Sequence, residues 1–185
     1  MIYAIGGLME NINCQVSEGK LLQHLGNLRK MMIHHHELEH LTEFVLHDLC
    51  SGPCSHINKA AYFANNPDFD ILRGVAGYAK QDLQVPVDDV WNNQKKFVSV
   101  IHDSRFHQNV RQSNDRSFEI GRSSEKYMVE KLADQLEIAN PAYHVWNLKH
   151  ANYGLLIYEP SMNDLNHIQK NLVDSLYYLS FCSIY

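Results

Sequence analysis

The residues best suited to chemistry are concentrated between His34 and His56, in HHHELEHLTEFVLHDLCSGPCSH, which holds six of the twelve histidines and two of the four cysteines. Imidazole and thiolate are preferred ligands of Zn2+ and related ions, so the chemistry this stretch suggests first is the binding of Zn2+ or another divalent transition metal. In His36-Glu37-Leu38-Glu39-His40 the two histidines are four positions apart. On a helix they would stand about 40° apart on one face, hold one ion, and leave Glu37 as the general base that takes a proton from metal-bound water. Glu43, one turn beyond His40, is the nearest third ligand; otherwise that ligand arrives from His102, His107, His144, His150 or His167.

The five residues match the HExxH pattern of the zincins, and His36, Glu39 and His40 also satisfy the reversed HxxEH form. The resemblance ends there: zincin helices generally carry uncharged residues at the two positions between the Glu and the second histidine, and Glu39 departs from that. The bland alternative has its own support, because this stripe lies opposite Leu38, Leu41, Val45 and Leu49, as a solvated helix face would. His47 shares the stripe, yet at ~1.5 Å per residue it stands roughly 10 Å along the axis from His40 and cannot share its ion on an intact helix.

A second cluster, His47, Cys50, Cys54 and His56, offers four nitrogen and sulfur ligands across a Gly52-Pro53 turn. Tetrahedral Zn2+ accepts such a set, although structural zinc sites more often join two separated knuckles. The same residues admit a thiol-redox pair, Cys50 with Cys54, or two ordinary thiols at a helix end. Other catalytic patterns are missing. There is no GxSxG and no GxxxxGK[ST], Gly74 and Gly77 do not form GxGxxG, and Asp68-Phe69-Asp70 after Asn-Asn-Pro reads as turn chemistry. His144, Trp146 and His150 on one strand face could line a pocket, but a Trp there is more simply core.

The elements that must position these residues read as follows. Ile2 to Ile5 suggests a short strand. Ser17 stands as an N-cap before Leu21, Leu22, Leu25, Leu28, Met31 and Met32, and the helical spacing resumes with Leu38, Leu41, Val45 and Leu49. This is one helix, or two with the break near Ile33 to His36. Ser51-Gly52-Pro53 ends it. Further helices are expected over Ile57 to Ala64, Val87 to Val110 and Glu125 to Leu136, with Gln112 to Ser124 as a polar loop. The period then changes to alternation, Tyr143 and Val145 facing one way and His144, Trp146 and Leu148 the other, with Leu155 to Tyr158 returning as the second strand of a hairpin. A last helix from Asn163, apolar on nearly every side through Leu172, Leu176 and Leu179, suits burial or a homo-oligomer interface.

The expected fold is therefore α+β, a mainly helical single domain over 1–185 with a small antiparallel β-hairpin near the C-terminal third. A net charge of -5 gives no electrostatic reason to expect nucleic acid, and Lys95, Lys96, Arg105 and Arg111 read as a solvated face. No apolar run approaches the ~20 residues of a membrane span and the first residues lack a signal-peptide pattern, so no membrane partner is expected and a cytoplasmic protein is. Four cysteines are too few for a disulfide scaffold. The functional expectation is a soluble metal-binding protein, in its sharper form a zinc-dependent hydrolase acting on a small molecule or peptide. The competing expectations are a non-enzymatic interaction domain that associates through its C-terminal helix, and a thiol-redox protein.

Overall fold

Ile57–Asn66 (β1) lies at the centre of a five-stranded sheet in the order β3-β2-β1-β5-β4. The computed structural model describes residues 6–51, 57–83, 89–118, 120–148, 152–160 and 179, and for residues 6–18 and 21 the backbone alone. The other strands are Ile71–Ala79 (β2), Asn114–Arg116 (β3), Ala142–Asn147 (β4) and Tyr153–Pro160 (β5), and all four pairings are antiparallel.

The sheet corrects the expectation of a mainly helical domain. The β4–β5 hairpin is present, but as the outer part of a larger sheet, and Ile57 to Ala64 is strand rather than helix. The reason lies in burial. Ala60, Tyr62 and Ala64 face one core, while Ala61 and Phe63 face the other. With both faces covered, β1 shows no alternation of apolar and polar residues, and a short apolar run of that kind resembles a helical segment.

Helices cover both faces. Against one lie Gly6–His34 (α1), Leu41–Ser51 (α2) and Gln94–Asp103 (α3), in a core with Phe44, Leu46, Trp91, Phe97 and Trp146. Against the other lie Arg105–Gln112 (α4) and Ser123–Gln135 (α5), packed through Phe106, Val110, Val129 and Leu132. The expected helix over Val87 to Val110 is thus two helices. They part at Ser104, whose extended backbone turns the chain and whose hydroxyl accepts a hydrogen bond from the His107 amide. Asp82 fixes the same corner, accepting from the Ser104 hydroxyl at 2.6 Å and from the Phe106 amide at 2.7 Å.

Two glycines let α4 approach the sheet. A Cβ on Gly74 would stand 1.8 Å from the Val110 carbonyl oxygen, and one on Gly77 would stand 2.6 Å from a Val110 methyl. The helix therefore lies almost on the backbone of β2, beside an edge that β3 covers only from Ile71 to Arg73. Beyond that point α4 and its flank supply the partners. The Gly74 amide donates to the Ser113 carbonyl at 2.9 Å, the Arg111 guanidinium donates to the Val75 carbonyl at 3.2 Å, and His107 Nδ1 meets the Gly77 backbone. An edge that would otherwise expose unpaired donors and acceptors is closed by one backbone carbonyl and two side chains.

The expected strand at Ile2 to Ile5 lies wholly, and the apolar C-terminal helix almost wholly, outside the described residues; Leu179 alone of that helix is described, and it is buried. No helix among the described residues is long and apolar enough to cross a membrane.

Candidate metal centre

The helix break that the sequence places near Ile33 to His36 falls at residues 35–40, so His36-Glu37-Leu38-Glu39-His40 is a turn between α1 and α2. The helical geometry that would align His36 with His40 is not formed. His36 is exposed, its Nδ1 3.1 Å from the Ile33 carbonyl and its Nε2 3.8 Å from the carboxylate of Glu37, itself 90% exposed. His40, by contrast, occupies the position just before the first turn of α2, and Glu43 follows three residues later with its carboxylate 3.6 Å from the His40 ring.

Glu43 is 4% exposed. An acidic residue in a first helical turn is favoured by the helix dipole and by the amide groups there. Burial nevertheless raises its pKa above the usual carboxylate range, against its own backbone hydrogen bond and the charges of His40 and Arg111. The carboxylate sits where the loss of solvent is a cost that a cation would offset.

The third member comes from the far end of α3. The ring of His102 lies edge-on to His40 with centroids 4.8 Å apart, and one donor atom from each of His40, Glu43 and His102 falls within 4.8 Å of the others. Among the described residues this is the one group of histidine, cysteine and carboxylate donors that converges so closely. Across the Ser104 corner the ring of His107 stacks on His102 at 5.4 Å, tilted by 19°. His107 is 3% exposed. Burial pushes its pKa down to about 4, opposed by the Gly77 hydrogen bond and reinforced by His102, Arg111 and His40. His102, whose side chain is exposed, is lowered as well, by partial loss of solvent first and then by His40 and Arg111. Both shifts favour the neutral ring, the state in which imidazole binds a metal.

The remaining residues singled out in the sequence fall elsewhere. His47 Nδ1 lies 3.2 Å from Asp48, whose other carboxylate oxygen accepts from the Trp91 indole at 3.0 Å and whose carbonyl accepts from His24 at 3.0 Å. This node ties α1 and α2 to the segment before α3. Cys50 is fully buried in the core, and burial pushes its thiol pKa well up, which disfavours the thiolate that metal binding or redox exchange needs. Cys54 and His56 lie outside the described residues, as do His150 and His167. His144 stacks on Trp146 in β4, with centroids 6.1 Å apart, away from the histidine group.

A separate cleft of about 200 Å3 lies between α4 and the end of α5, lined by Lys59, Asp82, Arg105, Phe106 and Glu137 among others. Two of its charged side chains, Lys59 and Asp82, already have partners. Lys59 donates to the Glu137 carbonyl and lies 3.8 Å from Glu159, while Asp82 holds the start of α4. Compared with known protein families, curated proteins and solved structures, the chain matches none.

Proposed function

We propose that the protein binds a divalent transition metal, Zn2+ in the first instance, through His40, Glu43 and His102. The observation that carries this reading is the convergence of three donor atoms within 4.8 Å around a carboxylate that is almost wholly buried. Two imidazoles and a carboxylate form a donor set suited to Zn2+, Fe2+ or Co2+. The ligands come from the start of α2 and the end of α3, so the ion would also tie those two helices together. A site with three protein ligands keeps a position for water, which is where hydrolytic chemistry would begin. Glu37 sits on the exposed turn beside His36, so the reading assigns no base and rests at metal binding.

The test is metal analysis and calorimetric titration of protein purified without a histidine tag or chelator. About one ion per chain is expected, since the donor set holds one. Uptake should be lost in His102→Ala and kept in His36→Ala. Wild-type protein that takes up no Zn2+ at micromolar concentration ends this reading, and equal loss in both variants moves the site back to the turn.

A further inference from the structure

The cleft between α4 and the end of α5 holds two charged side chains that the fold leaves unanswered. Arg105 lines it from the first position of α4, and Glu137 from just beyond α5. Among the described residues neither the guanidinium nor the carboxylate has a hydrogen-bond or ion-pair partner, and the two are not paired with each other. We infer that this cleft is a second binding site, independent of the metal, for a free α-amino acid with a polar side chain. Arg105 takes the carboxylate, which its planar fork of donors suits, and Glu137 takes the ammonium. A simple anion would answer Arg105 but be repelled by Glu137, and a simple cation would do the reverse; a zwitterion answers both. Gln81, Asn109 and Gln135 bring carboxamides to the same cleft, each able to donate and accept, and none bonded among the described residues. At about 200 Å3 the cleft is smaller than a pocket for a drug-sized ligand, which fits a molecule of amino-acid size.

The backbone of Glu137 adds weight. α5 ends in a paired turn, the Ile138 amide donating to the Ala133 carbonyl at 2.9 Å and the Glu137 amide to the Asp134 carbonyl at 3.2 Å. This places Glu137 at the position where such turns favour glycine, with φ at +53°. The other non-glycine residues with positive φ, among those described, are Asp70, Asp89 and Asn140, whose short polar side chains tolerate it. Glutamate lacks that tolerance, and its carboxylate makes no bond that offsets the cost to the fold. Lys59 donates to the Glu137 carbonyl and so holds this turn at the cleft. The bland alternative is that Arg105 and Glu137 are ordinary solvated charges. That accounts for their lack of partners, but not for glutamate where glycine fits better.

The test is titration of the 15N-labelled full chain with L-glutamine, L-asparagine and L-serine, followed by 1H–15N correlation of the backbone amides. At least one of the three should shift the amides of residues 105–109 and 135–137 with a Kd of about 1 mM or tighter. The same amino acid with its carboxylate converted to an amide should bind at least about tenfold more weakly, and so should the unmodified amino acid to Arg105→Gln. Glu137→Gly should do two things together: weaken binding by about tenfold and raise the thermal midpoint by about 1–4 °C. Neither substitution removes a side-chain bond that holds the fold, so both variants should fold. The inference is overturned if none of the three amino acids shifts these amides by about 10 mM, or if binding is undiminished in either variant. A lower thermal midpoint in Glu137→Gly overturns it as well, since the side chain would then serve the fold.

Discussion

His102 and His107 flank the Ser104 corner with their rings nearly parallel, 19° apart in plane and 5.4 Å apart in centre. One ends α3 on one face of the sheet and the other begins α4 on the opposite face. Their contact is therefore the point at which the two helical layers meet beyond the outer edge of β2. A cluster placed there can respond to a bound ion and to the packing of both layers.

The depressed pKa of His107 makes the metal-free protein sensitive to acid. The unfolded chain takes up this proton near pH 6.5, whereas the folded chain resists it to about 4. Stability from this group is complete above about pH 6.5 and is lost progressively as pH falls towards 4, by roughly 3 kcal/mol in all. His102, lowered for similar reasons, acts in the same direction, and Glu43, whose pKa is raised, acts in the opposite one. Urea midpoints of metal-free wild type should fall across this window and fall less steeply in His107→Gln. Equal slopes for the two proteins would show that His107 is not protected in the fold.

Part of this arrangement was legible in the sequence. The α5 helix and the β4–β5 hairpin followed from periodicity, and the break between α1 and α2 lay close to the expected change of phase. β1 did not, because a strand buried on both faces carries no alternation. His40 and Glu43 stood out by type and spacing, but His102 and His107 were two of five scattered histidines. Only the folding of α3 and α4 around the edge of β2 separates them from His144. The two glycines of β2 gave a negative signal alone, since they match no phosphate-binding loop; their role in admitting α4 depends on contacts some thirty residues or more away.

Those glycines give the sharpest packing prediction. Gly77→Ala places a methyl against the Val110 side chain, whereas Gly74→Ala places it against the Val110 backbone. Overpacking a fitted interface costs about 1–3 kcal/mol. Gly77→Ala should fall in that range and be partly rescued by Val110→Ala. Gly74→Ala should be at least as damaging, and Val110→Ala should not rescue it, because the obstructing atom is a carbonyl oxygen. Thermal unfolding of the two double variants decides the matter, and equal rescue in both would contradict this packing.

Glu43 has two possible uses, and they respond differently to substitution. If its carboxylate serves only the start of α2, Glu43→Gln should cost about 1 kcal/mol or less with or without metal. As a ligand, it should leave metal-free stability little changed and remove most of the stabilisation conferred by Zn2+. For wild type that gain is about 2.7 kcal/mol when free Zn2+ is one hundred times Kd. The measurement is the shift in unfolding midpoint with added Zn2+ for each protein; an undiminished shift in Glu43→Gln would show that the carboxylate is no ligand.

Arg111 should oppose the metal rather than assist it. Its guanidinium donates to the Val75 carbonyl at 3.2 Å, and its charge is felt at Glu43, His102 and His107. A fixed positive charge beside a divalent ion is repulsive, but Arg111 is exposed and so its effect is screened. Arg111→Gln keeps a donor for Val75 while removing the charge. It should tighten Zn2+ binding by about three- to tenfold at low ionic strength, with the gain shrinking as salt is raised. Calorimetric titrations at two salt concentrations provide the check. Weaker binding in Arg111→Gln would mean that its hold on the edge of β2 matters more to the site than its charge.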